Sequence, residues 1–227
     1  MIEYDVLIPA YNSAKTLPGL IKKIQNLPKQ PNKIFIVDDG STDNTAELLE
    51  KYDIEIISNE FNSGKGCSLK KGFNLFLENG STDFLLCMDA DLQHPPESVP
   101  DFLLQAEKYP GSIYIGSRKK KPAEMPVLRI VSNALSSLIL SAVTGKKIED
   151  SQCGLRLIPR SVLEKIELKE TGFQFETEFI LEAAKQDFNF KFVPIPTIYN
   201  GSNSYINHLG DTFTFIKLVL RRILTWK

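Results

Sequence analysis

The stretch Phe84–Glu97, FLLCMDADLQHPPE, runs an apolar segment straight into Asp89, Asp91 and Gln93 and then meets Pro95 and Pro96. Its apolar part is too short for a helix and reads as a buried strand. The prolines remove backbone donors and end it, so the acidic segment becomes a loop free to face a ligand. Comparable apolar runs stand at Asp5–Pro9, Lys33–Val37, Ile54–Ser58 and Ile113–Gly116. Helical patterns lie between them, near Ala14–Asn26, Thr45–Lys51, Leu69–Glu78 and Ser98–Lys108. Near-continuous apolar strands alternating with amphipathic helices predict an α/β fold, its central sheet mostly parallel and covered by helices on both faces. Such sheets bind ligands beyond the carboxyl ends of their strands. Here those ends read PAYN, VDDGSTD, SNEFNSGKG, DADLQH and GSR.

After Arg118 the alternation breaks. Lys119, Lys120 and Lys121 precede a helical stretch at Val127–Thr144; a strand-like CGLRLIP, a helix near Glu176–Gln186, a strand at Phe190–Ile195 and a helix from about Asp211 follow. No Pro/Gly/Ser-rich spacer separates the halves, so residues 1–227 are expected to form one domain.

A formal charge of −1 excludes binding of nucleic acid by net electrostatics. Cys67, Cys87 and Cys153 are odd in number and contain no CxxC pair, which fits a reducing compartment and disfavours a disulfide frame or a zinc site. The amino-terminal MIEYDVLIPAYN lacks the pattern of a signal peptide. No run reaches the roughly 20 apolar residues that cross a bilayer. These readings predict a cytoplasmic protein, with association at a membrane surface still compatible.

Asp89 and Asp91 are two hard oxygen donors with the Gln93 amide nearby, a set suited to Mg²⁺ or Mn²⁺, which complete their shells with water and phosphate oxygens. Asp-x-Asp alone equally describes ordinary strand-end or capping acids. In VDDGSTDNT, Ser41, Thr42 and Asp43 can cap the next helix. Asp38 and Asp39 exceed what a cap needs, and a carboxylate there suits a nucleobase edge or a ribose hydroxyl. Lys65, in a Gly-Lys-Gly turn, suits either a diphosphate or plain solvent. His94 and His208 lack metal-ligand spacing and are expected at the surface or a pocket edge.

Taken in order over Ile8 to about Glu178, the motifs IPAYN, VDDGSTDNT, NSGKG, DADLQHPPE, GSR and DSQCGLRL resemble those of family 2 glycosyltransferases of the GT-A fold. Within that family the similarity is greatest to the dolichol- and polyprenyl-phosphate sugar transferases. The resemblance implies a nucleotide-sugar-binding half over 1–118 and an acceptor-binding half over 119–227. It implies an inverting, metal-dependent transfer from a UDP- or GDP-sugar to a polyprenyl or dolichyl phosphate, or to a membrane-linked glycan. Pro9, Ala10, Tyr11 and Asn12 would wall the nucleotide pocket, with Asp38 and Asp39 at the base. Lys65 would approach the diphosphate, Asp89 would face ribose and diphosphate, and Asp91 and Gln93, with Asp89, would hold Mg²⁺ or Mn²⁺. Arg118 and Arg129 match positions that receive the acceptor's phosphate. A hydroxyl acceptor would instead need a carboxylate base, for which Asp150, Glu176 and Glu178 are candidates. Glu178 matches a family acid, whereas Glu176 reads better as a first-turn helix charge. The chain departs from the mannosyltransferases in one place: no Lys or Arg stands between Lys191 and Lys217, where those enzymes carry an arginine.

Two helices read as amphipathic. In TFTFIKLVLRRILTWK the polar residues Thr214, Lys217, Arg221, Arg222 and Thr225 share a face, and the rest is apolar. In Val127–Thr144 the polar side holds Arg129, Ser132, Asn133, Ser136 and Ser137. Both suit peripheral contact with anionic lipid, on the cytoplasmic face, or burial against the domain or a second subunit in a homo-oligomer. Two other readings compete with the lipid-phosphate transferase: transfer to a glycan hydroxyl in surface-polysaccharide synthesis, and a catalytically inactive nucleotide-sugar-binding module. A pyrophosphorylase is disfavoured because IPAYNSAKT has no Gly-rich loop for a triphosphate.

Overall fold

Strand β1 (Tyr4–Ala10) is buried along almost its whole length, and for that reason its sequence, YDVLIPA, does not alternate. It lies between β2 (Ile34–Asp38) and β4 (Phe84–Cys87), parallel to both. The outer parallel neighbour of β2 is β3 (Glu55–Ser58). Beyond β4 come β6 (Arg156–Pro159), β5 (Ile113–Arg118) and β7 (Phe190–Ile195), which gives the order β3-β2-β1-β4-β6-β5-β7. Only β6 runs against its neighbours. The structure, a computed structural model, describes residues 2–118, 127–172, 174–198, 214–215 and 217–222, the side chains of 127–129 excepted.

Helices α1 (Leu17–Gln25), α2 (Thr45–Leu49), α3 (Lys65–Asn79) and α4 (Val99–Lys108) connect the first five strands. Helices α5 (Val127–Thr144), α6 (Arg160–Leu163) and α7 (Phe175–Lys185) belong to the second half. The expected mixed, mostly parallel architecture is present, with boundaries moved in two informative places. Strand β4 stops at Cys87, before the prolines, and Pro96 instead opens a 3₁₀ turn, Pro96–Ser98, that leads into α4. A proline at the first helical position loses no needed donor and comes with φ already set, so the pair starts a helix rather than merely ending a strand. Helix α3 begins at Lys65, a full turn before the apolar pattern starts at Leu69. Gly64, at φ 94°, makes the bend that permits this. Lys65 is therefore a helix-start residue on a fixed backbone.

The register aligns the ends that matter. Ala10 pairs with Asp38 and Asp38 with Ser58, so the first three strands finish in one row. Beside them Leu7 pairs with Cys87, which brings the loops after β1 and β4 off the same edge. Between β1 and β4 the strand order reverses, the position at which open α/β sheets form their ligand crevice. Because β6 is antiparallel, its amino-terminal approach, Asp150–Leu155, arrives at this same edge.

One side chain clamps the opposite end. Arg160 donates from Nη2 to the carbonyls of Phe76 (3.1 Å) and Gly80 (2.7 Å), from Nη1 to Leu77 (3.2 Å) and from Nε to Thr82 (3.0 Å). Its guanidinium also lies over the Phe76 ring at 4.3 Å. It thus meets the Leu77 and Gly80 carbonyls at the end of α3 and adds a second donor to that of Phe76, which also accepts the Gly80 N–H at 2.8 Å. Arg160→Ala is expected to cost roughly 2–3 kcal/mol, the scale of charged hydrogen bonds to buried groups, measured as a lowered urea midpoint with unchanged slope.

Candidate active site

The candidate site is assembled from the loops at that shared edge, and buried carboxylates organise it. Asp39, 3% exposed, accepts the Nδ2–H of Asn59 (2.6 Å) and the backbone N–H of Ser63 (3.0 Å) on Oδ1, and that of Gly64 (2.8 Å) on Oδ2. This ties the β3–α3 loop to the end of β2 and sets where α3 can begin. Asp38 is equally buried and holds Ser41 through its backbone N–H (3.2 Å) and its hydroxyl. Asn12, at φ 49°, accepts the N–H of Thr42 (2.8 Å) and of Asp43 (3.3 Å) on Oδ1. The wall predicted at Pro9–Asn12 is accordingly joined to the β2–α2 loop: Pro9 is half-buried, Ala10 buried, and Tyr11 exposed.

At the end of β4, Asp89 Oδ1 accepts from Lys65 Nζ at 2.7 Å. The same ammonium reaches Glu176 Oε1 at 2.9 Å. Glu176 does sit in the first turn of α7, as a helix charge should, but it also belongs to this cluster. Burial pushes the Asp89 carboxyl up, yet the Lys65 ammonium outweighs it and holds the group down at about 2. Burial likewise pulls Lys65 down, and the two carboxylates more than reverse it, so the lysine is firmly charged. A Cβ on Gly154 would fall 2.4 Å from Asp89 Oδ2, so only glycine lets the β6 approach pass this carboxylate. A cavity of about 20 Å³, room for one water, lies beneath, lined in part by Lys65, Cys87, Asp89, Gly154, Arg156 and Glu176.

His94 is buried, 4% exposed, rather than at the surface. It is enclosed between Asp89 Oδ2, 3.8 Å from Nδ1, and Cys153 Sγ, 3.8 Å from Nε2. Burial pushes the imidazole down against the pull of Asp89 and Asp91, so the ring is neutral at pH 7. Burial raises the Cys87 and Cys153 thiols to about 12, which makes them packing groups rather than nucleophiles. Asp91 and Gln93 are half-buried in the loop that follows, where Leu92 has φ 60° and Asp91 Oδ1 accepts the Gln93 N–H at 3.0 Å. Among the described residues no three His, Cys, Asp or Glu side chains form a closed metal cage. The donor set is a pair of carboxylates and an amide oxygen beside an open edge, which fits a hard divalent ion whose remaining ligands are water and phosphate.

The second half supplies three more ion pairs. Arg118 donates to buried Asp150 from Nε (2.8 Å) and Nη2 (2.9 Å), and Asn133 Nδ2 adds a bond at 2.8 Å. Burial pushes Asp150 up, but these partners bring it below the ordinary carboxylate range. Glu178, 0% exposed, accepts the N–H groups of Lys169 (2.9 Å) and Glu170 (2.7 Å) and pairs with Arg222, which reaches on to Glu182 at 2.7 Å. Of the two predicted acceptor-binding arginines, Arg118 stands at the end of β5; the Arg129 side chain and His208 lie outside the described residues.

The two amphipathic helices divide between the outcomes expected for them, lipid contact or burial against the domain. The helical residues 217–222 bury Leu218 and Val219, and Arg221 pairs with Glu170 at 2.8 Å. The arginines expected to meet lipid are thus tied to the protein's own acids. Helix α5 is inverted over its first turns: Asn133, Ser136 and Ser137 are buried, while Val131, Leu135 and Leu138 are 56%, 53% and 67% exposed; farther along, Leu140 is buried in the core. The reason is Asp150 and its neighbour Ser151, which need donors in the interior. Ser136 Oγ meets Ser151 Oγ at 3.0 Å, and the Ser151 N–H donates to Ser137 Oγ at 3.1 Å.

Comparisons with known proteins bear on the family and the fold. A family model described as glycosyl transferase family 2 matches residues 5–167. A UDP-N-acetylglucosamine–dolichyl-phosphate N-acetylglucosaminyltransferase of Methanococcus voltae is 31% identical over 216 residues, covering 86% of this chain and 85% of that protein. A dolichol-phosphate mannosyltransferase of Pyrococcus furiosus is 32% identical over 191 residues, 80% of this chain but 53% of its own length. The fold is shared with glucosyl-3-phosphoglycerate synthase of Mycobacterium tuberculosis, solved with Mn²⁺ and UDP-glucose, at TM-score 0.76 and 18% identity, covering 98% of this chain and 79% of that one. The architecture is thereby GT-A.

Asp89 gives the site a signature in acid. Its folded-state value near 2 lies below the ordinary 3.8, so the unfolded chain binds more protons between them. The stability contributed by the ionised group is complete above pH ~4 and is lost progressively toward pH ~2. Denaturant titrations across that window should show the loss in the parent and a flatter profile in Asp89→Asn.

Proposed function

Because the chain belongs to glycosyl transferase family 2, we propose that it transfers a sugar from a nucleoside-diphosphate donor to a polyprenyl or dolichyl phosphate at a membrane surface. The observation that carries this reading is the meeting of Lys65, Asp89 and the Asp91–Gln93 loop beside the β1 loop, at the point where the strand order reverses. Pro9–Asn12 and the Asp38 loop would hold the nucleoside, and Lys65 the diphosphate. Asp91 and Gln93, with Asp89, would hold Mg²⁺ or Mn²⁺, which when bound offsets charge on the departing nucleoside diphosphate.

The state of the acids favours a phosphate acceptor over a sugar hydroxyl. Each candidate base is met by a cation: Asp150 by Arg118, Glu176 by Lys65 and Glu178 by Arg222. A carboxylate held as an ion pair is a poor proton acceptor, whereas a phosphate arrives already ionised and needs only to be placed. Arg118, with Arg129, would place it. The relatives named above as dolichyl- and dolichol-phosphate enzymes point the same way.

A lipid acceptor calls for a docking surface, and we assign it to α5. Val131, Leu135 and Leu138 follow one helical face and are exposed. Lys119–Lys121, shortly before the helix, provide charge complementary to an anionic bilayer. No described helix is long and apolar enough to cross a membrane.

Two experiments test these assignments. In thermal-shift assays with UDP- and GDP-sugars, at least one donor should stabilise the protein only with Mn²⁺ or Mg²⁺, by about 2.7 kcal/mol at a hundredfold excess over Kd. Asp91→Ala should abolish the shift, and an undiminished shift would remove the metal assignment. In flotation with phosphatidylglycerol-containing liposomes, Val131→Ser/Leu135→Ser/Leu138→Ser should lower the bound fraction severalfold. Flotation equal to that of the parent would place the membrane contact elsewhere or nowhere.

A further inference from the structure

Lys65 is held by two acids of different standing. Asp89 lies two residues beyond the end of β4, with Gly154 packed against its carboxylate. Glu176, in the first turn of α7, holds the same ammonium and is 14% exposed against 26% for Asp89. The backbone between them is close-fitted: a Cβ on Gly66 would lie 2.6 Å from the Thr171 carbonyl, and the Cys67 N–H donates to that same oxygen at 3.2 Å. The start of α3 and the segment leading into α7 therefore form one unit, and Glu176 keeps its place relative to Lys65 whatever happens at Asp89. The lysine stem is the flexible part, a point charge on four methylenes.

We propose that Lys65 is a displaceable internal counter-ion of Asp89, and that Glu176 is the positioning residue that retains the ammonium when a donor-borne divalent cation takes Asp89. This rests on the donor-site reading above and deepens it. An ammonium and a divalent cation repel on a single carboxylate, so the lysine must yield. With Glu176 beside it, Lys65 swings without becoming an unpaired, partly buried charge, and its remaining N–H groups are free to turn toward the diphosphate. Without Glu176, leaving Asp89 would strand the ammonium, and Lys65 would compete with the incoming cation more strongly.

The test has two arms. In the metal-free, nucleotide-free protein, acetylation of Lys65 by an N-hydroxysuccinimide ester, followed by mass spectrometry, should be severalfold faster in Glu176→Gln than in the parent; equal rates overturn the shared hold. In Mn²⁺ titrations of UDP and GDP binding by calorimetry, Glu176→Gln should raise the half-saturating Mn²⁺ concentration several-fold. In a Lys65→Met background the same substitution should change nothing, because its effect acts through the lysine. An unchanged or lowered requirement in Glu176→Gln, or an effect that persists with Lys65→Met, overturns the proposal. A parent protein that binds neither nucleotide would instead bring down the donor-site reading, while the acetylation arm still decides the counter-ion.

Discussion

A carboxylate removed from water must be met by donors or by a cation, and much of this molecule follows from meeting that demand at one edge of a sheet. Asp39, Asp89, Asp150 and Glu178 are each paired there or close by. Each pairing also fixes a piece of backbone. Asp39 draws in Asn59, Ser63 and Gly64, which sets the first residue of α3; that residue is Lys65, and Lys65 neutralises Asp89. A change at the end of β2 is thereby felt at the end of β4.

These pairings also narrow the chemistry. A site whose acids are already committed to cations is poorly suited to pulling a proton from an alcohol, which supports the proposal of a phosphate acceptor. In the proposed metal site, the edge by Asp91 and Gln93 would leave phosphate oxygens and water to complete the shell of a hard ion. The same logic turns α5 around. Burying Asp150 and Ser151 draws Asn133, Ser136 and Ser137 inward, and a helix cannot present both faces to the core, so Val131, Leu135 and Leu138 face out. An outward apolar stripe is a cost to an isolated soluble domain, and the proposed contact with a bilayer would offset it.

The helix carrying residues 217–222 shows the opposite outcome from a similar pattern. Its arginines face acids at Glu170, Glu178 and Glu182, and Leu218 and Val219 pack inward while Leu220 stays exposed. Amphipathicity alone does not say which face a helix buries. The partner surface decides: Asp150 and Ser151 for α5, and acids some 40 to 50 residues away for residues 217–222.

The sequence by itself determined the alternation of strands and helices in the first half, the largely parallel sheet, and the clustering of polar segments at its carboxyl ends, because strand burial and turn chemistry are local and leave a period in the chain. The ordered motifs from IPAYN to DSQCGLRL carried the family as well. Only the tertiary structure decided which acids are spoken for. Glu176 looks like any first-turn helix acid until α7 is set against the start of α3, and Glu178 looks available until Arg222 arrives from 44 residues away. His94 looked peripheral because its enclosure comes from Cys153, 59 residues on. Ion pairing and burial depend on where distant segments meet, and that information has no local period to be read.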